Sequence, residues 1–204
     1  MKNYKLAFLV LVLMLAGKLS KAGDLDTAGV FMTMENEIVY MYGDASITAQ
    51  TVGYHDIKNK EKSFAMRKLK WMIFGNRVWC AFPIRKGDRT YRLQEIIVMT
   101  KKYILMSFWQ GSPYLYVYDY NSDLVEGKIM IYEGGWGSKK RNQKAYDKIK
   151  PYFNNCNEVM KMFEENLDKE KMLIDGMYVE QCEGAPAVMD FLSTFKDKRM
   201  KGED

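Results

Sequence analysis

Short strand-like segments separated by turn signals fill residues 29–133, and this pattern limits the chain to folds built on a β-sheet. Gly75-Asn76 joins two of these segments as a tight-turn pair, because both residues tolerate a positive φ. Arg85-Lys86-Gly87-Asp88 marks a second hairpin turn. Connections this short join antiparallel neighbours. The pattern predicts an antiparallel sheet or open roll of about eight strands, over 29–42, 46–54, 66–74, 78–84, 89–99, 103–109, 114–120 and 128–132.

The pattern changes after Gly134-Gly135-Trp136-Gly137, a segment that we interpret as a flexible connector. From residue 145 to residue 195 the apolar positions follow a helical period. Pro151 is expected to kink or restart the first helix. These apolar stripes need a partner surface, so we expect the helices to pack on the sheet in one α+β domain, followed by a charged, frayed tail at 196–204. The stripes are Ala145, Ile149, Tyr152 and Phe153; Val159, Met160, Phe163 and Leu167; and Val188, Met189, Phe191, Leu192 and Phe195.

The N-terminal 22 residues have the three parts of a secretory signal peptide. Met1–Lys5 is cationic, Leu6–Ala16 is an unbroken run of eleven apolar residues, and Ser20 and Ala22 are small residues at positions −3 and −1 of a cleavage site. The run is far shorter than the roughly 20 residues that span a bilayer. We therefore expect export to the periplasm or outside the cell, and a mature domain over 23–204 with no transmembrane segment. An uncleaved membrane anchor is the alternative.

The positive charge of the chain is concentrated in that N-terminal segment. The whole sequence has 31 Lys and Arg against 26 Asp and Glu, and residues 1–22 hold four of the lysines and no acid. The remaining 182 residues have a formal charge of +1. A nucleic-acid-binding domain concentrates cationic surface on its folded part. The balance therefore argues against a nucleic-acid partner.

Three cysteines allow one disulfide in an oxidising compartment. Cys80 lies in the apolar segment Val78-Trp79-Cys80-Ala81-Phe82, where a buried thiol behaves as a small hydrophobe. Cys156 and Cys182 bracket a polar, helix-forming stretch. We predict a Cys156–Cys182 disulfide, with three thiols as the alternative.

Two motifs in the C-terminal part resemble those of a group of small exported bacterial proteins of uncharacterised function. Tyr152-Phe153-Asn154-Asn155-Cys156 matches an aromatic-Phe-x-x-Cys element, and Tyr178-Val179-Glu180-Gln181-Cys182 matches a second Tyr-x-x-x-Cys element. The chain departs from that group in having Asn157 where a proline is expected. The resemblance implies a signal peptide, antiparallel strands, a helical tail and the same Cys156–Cys182 pairing. It implies no activity.

Signatures of catalysis or of a cofactor are weak in this sequence. It contains no Gly-x-Ser-x-Gly motif, and His55 is its one histidine. A Cys80–His55 dyad is formally possible, but a single histidine beside a turn is typical of a surface, and one histidine makes a poor zinc site. We predict no metal, no cofactor and no catalytic residue. A hydrolase-type enzyme with a dispersed site is the alternative.

An alternating row of tyrosines is the strongest candidate for a binding site. In a regular strand Tyr114, Tyr116, Tyr118 and Tyr120 share one face, opposite Leu115 and Val117. Either the C-terminal helices cover the tyrosines, or part of the row is exposed and forms a platform for a glycan or peptide with Trp109 or Trp136. The cationic Lys139-Lys140-Arg141 offers a third possibility, contact with an anionic lipid or polysaccharide. We therefore expect an exported, non-enzymatic protein that binds a ligand or associates with the cell envelope.

Overall fold

The structure, a computed structural model, describes residues 27–48, 50–85, 91–107, 114–120, 123–131, 137–168 and 180–195. These residues form a mostly antiparallel sheet with short helices, which confirms the predicted α+β class. Within them ten strands run antiparallel to their neighbours: β1 Thr27–Thr33, β2 Ile38–Ile47, β3 Thr51–His55, β4 Glu61–Ala65, β5 Leu69–Phe74, β6 Arg77–Pro83, β7 Tyr91–Met99, β8 Tyr103–Ser107, β9 Tyr114–Asp119 and β10 Leu124–Met130.

The remaining elements are one more strand, three α-helices and a 3₁₀ turn in the described part of the chain. The strand β11, Glu180–Gln181, pairs in parallel with the end of β7. The helices are α1 Ser138–Phe153, α2 Asn157–Asp168 and α3 Val188–Thr194, and the 3₁₀ turn is Met66–Lys68.

The ten strands follow the spatial order β10-β9-β8-β7-β6-β5-β1-β2-β3-β4. Strands β5 to β10 form a meander in which each strand pairs with the next. Strand β1 pairs with the other side of β5, and β2, β3 and β4 extend the sheet outward from β1. The chain therefore builds the sheet from two meanders that meet at the β1–β5 pair.

The predicted number of eight strands was wrong, because the segment 29–42 contains a turn and one strand was missed. Asn36, with φ 66°, turns the chain between β1 and β2, and Thr33 Oγ1 accepts a hydrogen bond from the Glu37 N–H at 3.1 Å. Gly43, predicted to separate two strands, lies inside β2, where the pairing with β3 shifts register. The missed strand, β4, is a charged edge strand whose sequence shows no apolar alternation.

The first helix begins earlier than predicted and runs through the proline. Helix α1 starts at Ser138, after Gly137 with φ 80°, so Lys139-Lys140-Arg141 lies in its first turn. Pro151 lies within the last turn, and the helix ends at Phe153 without restarting. A proline here lacks only one hydrogen bond at the end of the helix, so the helix tolerates it.

The two faces of the sheet bury different parts of the core. We call the face with Leu115 and Val117 face A and the face with the tyrosine row face B. Helices α1 and α2 cover face A at β7–β10, and a second cluster on face A lies among β1–β7 and the 3₁₀ turn. Helix α3 covers face B at β5–β9. The buried side chains include Ile129, Ile149, Phe153 and Phe163 in the cluster of α1 and α2; Phe31, Met41, Val52 and Trp79 in the second cluster; and Phe82, Ile96, Met106 and Leu192 in the cluster of α3.

Candidate binding site

A row of apolar side chains crosses face B over seven neighbouring strands. The strand register aligns one residue of each strand with the next, and strands lie about 4.8 Å apart, so the row spans roughly 29 Å. A second, shorter row runs beside it on the same face, two residues away along each strand. The first row is Tyr40, Val30, Ile73, Val78, Ile96, Met106 and Tyr116, and the second is Ile38, Met32, Trp71, Cys80 and Gln94.

The two ends of these rows differ in exposure. On β2 and β1 the apolar side chains of the two rows are half-buried, except Ile38, which is 36% exposed; on β5 Ile73 is half-buried and Trp71 is buried. On β6 to β9 the side chains of both rows are buried. We call the less buried part the open section; it consists of Val30, Met32, Ile38, Tyr40 and Ile73. We call the buried part the covered section; it consists of the side chains of both rows on β6 to β9 together with Trp71. Face B therefore presents an accessible apolar surface at one end only.

The tyrosine row of β9 belongs mainly to the covered section. Tyr116 is 6% exposed and Tyr118 is fully buried, whereas Tyr114 and Tyr120 are half-buried. The Tyr118 hydroxyl donates to Pro83 O and accepts a hydrogen bond from Gln94 Nε2 at 2.8 Å. Two of the four tyrosines thus contribute to the core and offer no open platform.

Burial raises the pKa of three of these phenols, Tyr116, Tyr118 and Tyr120. The Tyr120 hydroxyl donates to Thr100 O at 2.7 Å, and burial raises the pKa of Tyr120 to about 12. Burial also raises the pKa of Tyr118 far above its usual value of 10.0, against a smaller opposing effect of the Gln94 hydrogen bond. Both side chains are therefore neutral at ordinary pH and are held by hydrogen bonds within the protein.

The sheet curls toward face B in the covered section. The rings of Phe82 and Tyr118 have centroids 4.7 Å apart, although two strands separate β6 from β9. A flat sheet would hold these two strands about 14 Å apart. The covered section is therefore concave, and α3 packs against its concave side.

Of the helices in the described part of the chain, only α3 packs on the face that carries the tyrosines. Phe191 stacks on Phe82 at 6.4 Å and meets the Tyr120 ring edge-on at 5.8 Å. Phe195, just beyond the helix, lies 4.9 Å from the Phe82 ring. The two longer helices pack on the opposite face, against Leu115 and Val117. The expectation that the C-terminal helices as a group cover the tyrosines thus applies only to the shortest of them.

The segment before α3 is anchored on face A. The structure places Cys156 and Cys182 at disulfide distance, as predicted, with 5.3 Å between their Cα atoms. The Cys182 N–H also donates to Met99 O at 2.9 Å, directly after the β11–β7 pairing. From Cys182, which packs in the cluster under α1 and α2, the chain passes to face B through Gly184, whose φ is 77°. The disulfide therefore fixes the start of the segment that ends in α3.

Two polar atoms under α3 have no partner among the described residues. They are the indole Nε1 of Trp71 and the amide Oε1 of Gln94. Trp71 is 3% exposed and Gln94 is fully buried. Cys80 lies between them, because Trp71 pairs with Cys80 across β5–β6 and Cys80 pairs with Gln94 across β6–β7.

The structure does not bring together the other residues that the sequence suggested for chemistry. In the strand order, three strands separate His55 on β3 from Cys80 on β6. No group of three or more His, Cys, Asp or Glu side chains in the described ranges could hold a metal ion. Lys139, Lys140 and Arg141 are exposed in the first turn of α1. Trp109 and Trp136 lie outside the described residues.

Comparison with known proteins assigns the chain to no family. No family model matches it, and no curated protein and no solved structure is significantly similar to it. In the part of the chain that the structure describes, no helix is long and apolar enough to cross a membrane. Any function must therefore be argued from the site itself.

The open section is the feature that sequence reasoning missed. Its signal was present, since Val30 and Met32 alternate with the buried Phe31 and Thr33 on β1, and Ile38 and Tyr40 alternate with Val39 and Met41 on β2. The open section could not be predicted while the turn at Asn36 was missed. A single strand over 29–42 would not place the apolar residues of β1 beside those of β2.

Proposed function

We propose that this protein is an exported, non-enzymatic binding protein that holds an apolar segment of another polypeptide on the open section of face B. The observation that carries the proposal is the alignment of Val30, Met32, Ile38, Tyr40 and Ile73 on three adjacent strands, where Ile38 is exposed and the other four are half-buried. Contiguous exposed apolar surface on a folded domain marks an interaction site.

The composition of the open section favours a polypeptide over a glycan. Four of its five residues are aliphatic side chains or methionine, and one is a tyrosine. Methionine and tyrosine are enriched in protein interfaces. Stacking of sugar rings needs several aromatic faces, whereas Tyr116 and Tyr118 are buried. A short apolar peptide segment fits the flat, three-strand surface better.

Export is the second part of the proposal. It is supported by the N-terminal segment 1–22, by the disulfide-distance pair Cys156 and Cys182, and by the resemblance to small exported bacterial proteins. Cells that express the whole chain should accumulate a product that begins at Gly23. The intact mass of the purified protein measures this, and a soluble cytoplasmic product that retains residues 1–22 would contradict export.

Selection from a displayed peptide library tests the binding function. The mature chain should enrich peptides with aromatic and aliphatic residues. Ile38→Asn should weaken the binding of a synthetic copy of an enriched peptide by about tenfold or more, since loss of an interface hot spot costs about 2 kcal/mol or more. Ile57→Asn and Val125→Asn are matched controls. Both residues are exposed apolar side chains elsewhere, 72% and 41% exposed, and their replacement should leave the affinity unchanged.

Two outcomes would overturn this function. The first is a library selection that enriches no peptide above the background of an unrelated exported domain. The second is an enriched peptide whose affinity falls equally in Ile38→Asn and in the two control variants. Either outcome would show that the open section is ordinary surface.

A further inference from the structure

We propose a second binding site beneath α3, for an uncharged, mainly apolar small molecule that carries one hydroxyl or primary amide group. The unpartnered atoms Trp71 Nε1 and Gln94 Oε1 define its polar end, and the aromatic and aliphatic side chains of the covered section define its apolar body. This site adjoins the open section, because Trp71 pairs with Met32 across β1–β5, but the proposal does not depend on peptide binding there.

The unpartnered atoms are one donor and one acceptor. Buried polar groups in folded proteins nearly always have a hydrogen-bond partner, and leaving one without a partner costs about 1–3 kcal/mol. The indole N–H of Trp71 can only donate, and the Oε1 of Gln94 can only accept. A ligand hydroxyl or amide offers both an acceptor and a donor, and so can satisfy both atoms.

The cross-strand register places the two side chains on either side of a shorter one. Trp71 and Gln94 flank Cys80 in one cross-strand row, with the outer backbones about 10 Å apart. Cysteine has a short side chain, so the two longer side chains project beyond it. The Gln94 amide is held in place, because its Nε2 donates to the Tyr118 hydroxyl at 2.8 Å. Its Oε1 is therefore presented in a fixed orientation.

The surroundings favour an uncharged ligand. Among the described residues that are buried and polar or charged, only Glu95 can ionise, and it pairs with Arg77 on face A at 2.8 Å. The cluster under α3 consists of apolar and aromatic side chains together with Gln94. Transfer of an unpaired charge into such a place is far more costly than transfer of a hydroxyl. We therefore expect a carboxylate or ammonium ligand to bind more weakly than an uncharged one.

Helix α3 can open the site while its anchor stays in place. It has seven residues, and an isolated helix of that length is marginal in water. Its contacts with the sheet are apolar, through Phe191 and Leu192. The preceding segment turns at Gly184, whose φ of 77° favours glycine, and is held by Cys182. Rotation around Gly184 would lift α3 without breaking the disulfide.

Three small probes of similar shape test the site: naphthalene, 1-naphthol and 1-naphthoate, titrated into the mature disulfide-bonded protein by calorimetry. We expect 1-naphthol to bind about tenfold more tightly than naphthalene, because its hydroxyl can satisfy the two polar atoms, and 1-naphthoate to bind more weakly than either. Bound 1-naphthol should also slow amide hydrogen exchange in residues 188–194.

Variants assign the binding to the two polar atoms. Gln94→Leu and Trp71→Phe should each reduce the affinity for 1-naphthol to that for naphthalene, while Gln143→Leu, an exposed amide on α1, should not change it. If Gln94→Leu fails to fold, Trp71→Phe and the three-probe comparison in the wild-type protein still decide. Equal affinity of the wild type for 1-naphthol and naphthalene would overturn the proposal. Unchanged affinity for 1-naphthol in folded Gln94→Leu and Trp71→Phe variants would also overturn it.

Discussion

The open and covered sections of face B share one pattern of residues but differ in their environment. Tyr40 and Tyr116 stand at opposite ends of the same seven-strand row, each beside an aliphatic or methionine neighbour. Tyr116 is 6% exposed because α3 and the curl of the sheet enclose the covered section. Tyr40 remains half-buried, since it lies on β2, beyond that cluster. Alternation along a strand therefore identifies a sheet face, but the path of the C-terminal segment decides which part of that face becomes core.

The disulfide sets that path. Cys182 is held against the end of β7, six residues before α3 begins, and α3 packs on the covered section and not on β2. The difference between the two sections thus follows from where one cysteine is attached. Substitutions in the open section and in the covered section can test this difference.

The largest effect is expected from truncation of the two tyrosines at the ends of the row. Tyr116→Ala should lower the free energy of unfolding by about 3–5 kcal/mol, as for other large-to-small core changes. Tyr40→Ala should cost less, about 1–2 kcal/mol, because part of its apolar area stays in contact with water in the folded state. Urea denaturation measures both. Equal losses would show that the two sections do not differ in burial.

Removal of the disulfide should have the next largest effect. Replacement of both Cys156 and Cys182 by serine should lower the free energy of unfolding by about 3 kcal/mol, because their separation of 26 residues closes a loop of moderate length. Amide exchange should accelerate first in residues 188–194, since α3 loses its anchor. Uniform acceleration over β1–β4 and α3 would contradict a local role of the disulfide.

Alkaline pH should weaken the covered section selectively. The folded state holds the pKa of Tyr118 above its unfolded value of 10.0, so the unfolded state loses this proton first as the pH rises. The contribution of the Tyr118 phenol to the free energy of unfolding is therefore complete below pH 10. Above pH 10 it falls by about 1.4 kcal/mol per pH unit for a fully buried phenol. Tyr118→Phe should be less stable at neutral pH, yet its stability should fall less steeply above pH 10. Identical slopes for the variant and the wild type would contradict the burial of this phenol.

The smallest effect on stability is expected in the open section. Ile38→Asn should change the free energy of unfolding by no more than about 0.5 kcal/mol, as is usual for surface positions. Thermal and urea denaturation of the variant beside Ile57→Asn measure this. A loss above 2 kcal/mol would place Ile38 in the core and remove it from any binding surface.

The sequence was informative where the signals are local. The hairpin at Gly75-Asn76 and the Cys156–Cys182 pair could be predicted, because a turn pair and two cysteines in polar surroundings are visible in the residues themselves. The turn at Asn36 was missed because its polar residues are few and lie between two apolar segments. The edge strand β4 was missed because its outer side faces solvent and carries charges.

The candidate site was less predictable than the fold. The shared face of the tyrosine row followed from strand geometry, but which helix covers it depends on long-range packing. The Trp71–Cys80–Gln94 row joins three strands through their register, and register is not visible in one sequence. The open section likewise appears only when β2, β1 and β5 lie side by side.

Photo-crosslinking in cells that produce the whole chain tests the central claim, that face B binds a polypeptide at its open section. A benzophenone amino acid at position 40 should crosslink to one polypeptide partner. The same group at position 152, a half-buried tyrosine of α1 in the core region of face A, should not. Absence of a crosslinked polypeptide at position 40, or the same product from both positions, would contradict the account.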